Sequence, residues 1–408
     1  MAARLRVSLI CSALLITILL VVGAVLGKSE QQEGAYRPLA VYTEVLARIK
    51  SDYVEEPDIA RVTQGALQGL VEYVDSASSY LTREQFGEYE VALANPDGGT
   101  GLATGMVVRK QGAYTSILAV LPGSPADNVG IRADSLLDAI DDVSTRVMPP
   151  AYLRATLSGE PGSSVKVMVR SPADYESALE HTLVRAETPL PEVRSKMLED
   201  GVAYVDADAL GEDHVKAIAD AIEQLQAEGA VKLILDLRGN ALGAHENGVA
   251  LADLFLHTGT IARLSGKNYA EKAFEASPEA MADGLSMAVI VDRPTSGAAE
   301  VAAAALQASG RVTVVGEKTS GLAAVQETLR MDDGAALILS VANFHSPSGD
   351  VIHGEGVTPD REVSQRDLRR YRDVVHREFE NSEARSKAED DVGDPFMDAA
   401  VAALAEDG

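Results

Sequence analysis

The sequence is short of cysteine and of positive charge. Cys11 is the only cysteine in 408 residues, which excludes an intramolecular disulfide, a thiol-ligated metal cluster and a CxxC redox pair. Lys and Arg number 36 against 62 Asp and Glu, a formal charge of −26. So acidic a surface repels phosphate backbones, and nucleic acid is not an expected partner. The histidines show no HExxH or other ligand spacing, which argues against metal catalysis; no cofactor is expected. There is no internal repeat and no low-complexity tract. What remains is the composition of a folded chain, 46% hydrophobic and 24% charged. Its length allows two to four domains at roughly 100–200 residues each.

One apolar run is long. Arg4 and Arg6 precede the uncharged residues 7–27, and Lys28 follows. As a helix rising about 1.5 Å per residue, the run spans about 31 Å, one hydrocarbon core. Arginines before it and Glu30 and Glu33 after it orient the N-terminus to the cytoplasm. The expected location is the bacterial inner membrane, single pass, with the main body in the periplasm. The alternative is a signal peptide whose cleavage releases the body to the periplasm. Cys11 follows Ile10, which is not a small residue, so a lipoprotein cleavage box is not expected.

Five segments follow from the patterning. Residues 1–28 are the anchor or signal segment. Residues 36–96 form a helical domain, with apolar residues at three- and four-residue spacing (Leu39, Tyr42, Val45, Leu46, Ile49) and Pro57 between two helices. After Asp97-Gly98-Gly99-Thr100-Gly101, residues 97–187 form a β-rich module with strands at 106–108, 116–120, 136–140 and 165–169 and one helix at 152–158. Residues 188–365 alternate strand and helix: strands at 202–205, 231–237, 287–291, 312–315, 326–331 and 335–341, and helices at 214–227, 247–256 and 298–308. That alternation predicts an α/β core with a largely parallel sheet. Residues 366–408 are a charged helical tail. The fold class is therefore α+β, multidomain.

Several motifs carry a resemblance. Leu121-Pro122-Gly123-Ser124-Pro125-Ala126, Val129-Gly130-Ile131 and Leu136-Leu137-Asp138-Ala139-Ile140 make the module similar to a PDZ domain. In that family a glycine-containing loop before a strand offers N–H groups to a C-terminal carboxylate. The matching loop is Gly99-Thr100-Gly101-Leu102 or Ala103-Thr104-Gly105. Gly101, Leu102, Gly105 and Met106 are the expected peptide-binding residues, with Leu102 and Met106 giving an apolar pocket. In order along the chain, Ser78-Ser79-Tyr80-Leu81-Thr82, Leu233-Ile234-Leu235-Asp236-Leu237-Arg238, Gly316-Glu317-Lys318-Thr319-Ser320-Gly321 with Val325-Gln326, Ser346-Pro347-Ser348-Gly349 and Gly356-Val357-Thr358-Pro359-Asp360 resemble the C-terminal processing (tail-specific) peptidases. The resemblance implies a core of the ClpP/crotonase type, action on unfolded or C-terminal segments of proteins, and homodimerisation through terminal helices.

Those enzymes use a Ser–Lys dyad, in which a desolvated lysine takes the serine's proton. The resemblance puts the serine three residues before Glu300, where this chain has Gly297. It puts the lysine after Gly321, where this chain has Leu322. Gln326, whose counterpart orients the lysine, is retained. The family's Asn-Pro-Gly-Gly turn reads Asn240-Ala241-Leu242-Gly243, with leucine in what the resemblance implies is the oxyanion loop. The expectation is a proteolytically inactive member that binds protein C-termini or partner chains. The rival is an active serine-type endopeptidase with a displaced nucleophile, Ser296, and Lys318 as the fallback base; Ser320 and His245 are also near in sequence. The bland readings make Ser296 an N-cap of the helix from Ala298, Lys318 a solvated loop residue, and the whole chain a scaffold with a decayed groove.

Overall fold

The computed structural model describes residues 17, 38–95, 97–278, 281, 284–375 and 392–406. Apart from Thr17, the run 7–27 lies outside the described residues. Among the described residues no helix is long and apolar enough to cross a membrane. The chain divides into two compact units, residues 1–66 and 67–408.

The first unit holds a helix at 38–52 and the start of the helix Ile59–Val74. The helix at 38–52 stops ahead of Pro57, and the Asp58 carboxylate accepts the Arg61 N–H at 3.1 Å, which caps the next helix in the usual way for aspartate.

The second unit contains three sheets. The module's sheet runs Met106–Gln111, Tyr114–Val120, Leu136–Ile140, Ser164–Ser171, Asp174–Val184, with Val143–Ser144 paired to Leu136–Ile140. All its pairings are antiparallel. Alternate residues point inward, so Met106, Ile117, Leu137, Val165, Val167 and Leu183 meet the helix Pro150–Leu157 in one core. Strand Met106–Gln111 lies at the sheet's edge.

The α/β sheet is ordered Arg361–Glu362, Thr313–Gly316, Ser286–Val291, Lys232–Asp236, Val202–Asp206, Arg194–Met197, parallel except for the last pair. Its strands are apolar on both faces because both are covered. Leu233 and Leu235 pack with the helices His214–Ala227, His245–Asp253 and Ala298–Ala308, while Ile234, Ala288 and Ile290 pack with Phe396, Ala400 and Leu404 of Pro395–Glu406. The third sheet is antiparallel. Its long strand Ala336–His345 pairs with Ala324–Arg330, with Ser79–Leu81 and with Thr260–Gly266, which pairs in turn with Tyr269–Glu275.

Candidate functional site

The strand Ser286–Val291 enters the helix Ala298–Ala308 through Asp292-Arg293-Pro294-Thr295-Ser296-Gly297. Asp292 organises this turn. Its Oδ1 accepts N–H groups from Gly239 at 2.9 Å and Thr295 at 3.0 Å and the Thr295 hydroxyl at 2.7 Å. Burial outweighs these bonds and pushes the Asp292 carboxyl up to about 6. Gly297 closes the turn with φ 60° and ψ −116°, a left-handed conformation open to glycine and strained for other residues. Strand–turn–helix strain of this kind holds the nucleophile in hydrolases.

Glu300 ties the turn to the loop 319–322. It is fully buried. One oxygen accepts the N–H groups of Gly297 at 2.9 Å and Leu322 at 2.8 Å. The other accepts the Gly321 N–H and the Thr319 hydroxyl. Burial raises the Glu300 carboxyl above its usual range against those four donors. The result sets positions 297 and 322 side by side. A Cβ on Gly297 would lie 3.7 Å from the Leu322 carbonyl and 3.9 Å from His245 Nε2. His245 stacks on Phe344 with ring centroids 4.9 Å apart, and its Nε2 is 3.3 Å from Leu322 O. Burial lowers its pKa, which favours the neutral ring.

The remaining sequence candidates scatter. Gln326 donates to Ala77 O at 2.9 Å. Ser296 is 3% exposed and donates its N–H to Asn240 O at 2.9 Å. It is not the helix N-cap: Gly297 takes that position, with Glu300 reaching back to its N–H. Lys318 is half exposed, 3.7 Å from Glu355. In the turn Asn240-Ala241-Leu242-Gly243, Leu242 O accepts from Leu210 N at 2.8 Å. Gly243 has φ 129°, and a Cβ there would lie 2.1 Å from Leu210 O. Leu242 also lines a cleft of about 390 Å³ between module and core, with Leu121, Asp134, Arg238 and Asp292; neither Gly297 nor Leu322 lines it.

Met106 is corrected from pocket to core, for it is 0% exposed among Ile117, Leu153 and Leu157. Gly101 is also buried, and Leu102 begins a single 3₁₀ turn that ends at Thr104, before Gly105. The helix expected at 247–256 begins two residues earlier, at His245.

Three features escaped the sequence reading. Arg109, on the module's edge strand, feels the charge of Glu300; burial lowers its pKa against that attraction, and among the described residues its Nε has no partner. Asp75 and His353 form a buried pair, Oδ1 to Nε2 at 3.0 Å. Burial raises the Asp75 carboxyl, but His353, the Ala77 N–H and the Ser78 hydroxyl outweigh it and hold it below the usual range. Arg293 of the core and Arg372 of the C-terminal tail reach Asp134 of the module at 2.6 and 3.7 Å. All three join segments far apart in sequence, so no local pattern announces them.

Comparisons with known proteins fit this arrangement. Residues 201–363 match the profile of peptidase family S41, and residues 116–171 that of a PDZ domain. The chain is 31% identical over 323 residues to a carboxyl-terminal-processing protease of Synechocystis sp., covering 78% of this chain and 75% of that protein. It is 29% identical over 314 residues to the carboxy-terminal processing protease CtpA of Bacillus subtilis, covering 76% of this chain and 66% of that protein. Among solved structures, the photosystem II D1 C-terminal processing protease shares the fold, with a TM-score of 0.63 at 21% identity over 80% of this chain and 92% of that one.

Proposed function

Because this chain belongs to peptidase family S41, with the carboxyl-terminal-processing proteases, we propose that it binds polypeptide termini or partner chains without cleaving them. One observation carries the reading. The strained turn ends in Gly297 beside Leu322, and neither supplies a nucleophile or a proton acceptor. Losing either member of such a pair costs many orders of magnitude in rate. The rival nucleophile Ser296 is nearly enclosed, and among the described residues it bonds to no lysine; Lys318 faces Glu355 instead.

Binding falls to the PDZ-like module, whose edge strand Met106–Gln111 is open to strand addition. Peptides with free apolar C-termini should bind, and amidation should abolish binding. The proposal extends to location and assembly: residues 7–27 anchor the chain in a bacterial inner membrane, the body faces the periplasm, and two copies pair. Arg4 and Arg6 ahead of the apolar run support the orientation. A soluble form beginning after Gly27 would replace the anchor with a cleaved signal.

The deciding experiment incubates the purified protein with an unfolded protein substrate, beside Ser296→Ala. Background proteolysis by both is expected. Clear cleavage by the natural protein, lost in Ser296→Ala, would establish the rival endopeptidase.

A further inference from the structure

The loop that leads into strand Met106–Gln111 already holds a carboxylate. Asp97 Oδ2 accepts the Ala103 N–H at 3.1 Å, and Oδ1 accepts the Gly99 N–H at 3.3 Å. The Ser158 hydroxyl, just past the helix Pro150–Leu157, donates to the same Oδ1. Arg185 binds the carbonyls at that helix end, Thr156 O at 2.7 Å and Leu157 O at 3.1 Å, and Asp97 is one of two carboxylates whose charge reaches it. Backbone N–H groups, a hydroxyl and a nearby guanidinium are the surroundings that recognise a carboxylate.

Two further donors of this loop are engaged as well. Thr104 N–H bonds Gly101 O at 3.2 Å and Gly105 N–H bonds Leu102 O at 2.8 Å. The loop packs tightly on the helix, since a Cβ on Gly101 would lie 3.2 Å from Leu157 Cβ. Leu121 N–H donates to Gly105 O at 2.8 Å, which makes Met106 and Val120 a non-hydrogen-bonded pair and turns the Met106 N–H outward from the sheet. An arriving chain terminus therefore meets the outward Met106 N–H and a resident negative charge.

We propose that Asp97 is an intramolecular competitor for the terminal carboxylate of a bound polypeptide, so that the groove opens to free C-termini only when Asp97 leaves its seat. The proposal rests on the reading of the module as a binder of chain termini. Apparent affinity falls by the fraction of molecules in which the seat is vacant, and like charges at the loop lower it further.

The test titrates the full-length protein with a fluorescent peptide ending in a free apolar residue and with its amidated twin. Asp97→Ala should bind the free peptide about tenfold tighter than the natural protein, with the amidated peptide unchanged. Asp97→Asn, which keeps the acceptor and drops the charge, should shift in the same direction by less. Ser158→Ala, which loosens the seat without touching the loop, should gain about threefold. The last two variants decide the matter if Asp97→Ala does not fold. Equal affinity of the natural protein and the variants for the free peptide overturns the proposal alone. Failure of every form to distinguish free from amidated peptide overturns the reading of the module, and this proposal with it.

Discussion

At the turn entering the helix Ala298–Ala308 the backbone frame is complete and ends in Gly297 beside Leu322. Glu300 still collects four donors and holds Gly297 against the loop of Leu322. At the loop entering strand Met106–Gln111 two backbone N–H groups and the Ser158 hydroxyl are engaged with the chain's own Asp97. In the first region a buried carboxylate gathers donors from two segments to hold a turn; in the second a surface carboxylate gathers donors from its own loop and from a helix end. The difference teaches that the bonds which shape a turn are separable from the groups that react there. Glu300, Asp292 and the glycine conformations hold backbone, and that task persists whether or not a hydroxyl follows.

The comparison is broken most directly by removing the carboxylate from each loop. Glu300→Ala leaves four donors unsatisfied in a fully buried place and should cost about 4 kcal/mol in urea unfolding. Asp97→Ala, in a surface loop, should cost about 1 kcal/mol. Similar losses would mean that the two carboxylates play one role. Next in size, Met106→Ala should cost about 3 kcal/mol, as a side chain taken from a packed core does. Leu102→Ala should stay under about 1 kcal/mol, which separates the core from the rim of the groove.

Acid titration sharpens the contrast further. Burial raises Asp292 from 3.8 to about 6, so its contribution to stability is full below about pH 4 and is lost as pH rises through about 6. Across that window the natural protein should lose up to about 2 kcal/mol relative to Asp292→Asn, read by thermal unfolding. Asp75 is lowered instead, so its contribution is present above its unfolded pKa and disappears as pH falls below it. Asp75→Asn should therefore be costly at neutral pH and near-neutral in strong acid. The smallest effect concerns the contact between module and core. A double-mutant cycle of Asp134→Asn with Arg293→Met should give a coupling of about 1 kcal/mol, because Arg293 is largely exposed.

Much of the fold was legible where local signals were strong. Turn residues on both sides fix the strand Leu136–Ile140, and runs such as Leu233-Ile234-Leu235 announce strands buried on both faces. The strands Asp174–Val184 and Tyr269–Glu275 were missed because both are largely exposed, which leaves no clean alternation of apolar and polar residues. At the candidate site the family motifs pointed to Gly297 and Leu322, and the structure brings them together. His245 was named among the neighbours, but that its ring stands beside position 297 was not legible, because its helix follows a different strand of the sheet. The seat of Asp97 was equally hidden: a glycine-rich stretch reads as a linker, and only the folded loop shows which donors its carboxylate gathers.

The strand Ser79–Leu81 has a consequence for the order in which the protein is made. It pairs with Ala336–His345, and Ser340 donates to Ser78 at 3.0 Å across 262 positions of sequence. Closing so long a loop in an unstructured chain costs about 5 kcal/mol by the logarithmic rule. The module and most of the α/β core lie between the two partners, and each has its own hydrophobic core. Folding of these parts shortens the gap before the strands meet. Ser79–Leu81 is thus a late closure: a growing chain emerging from the ribosome or a translocation channel cannot complete the sheet until nearly its whole length is available.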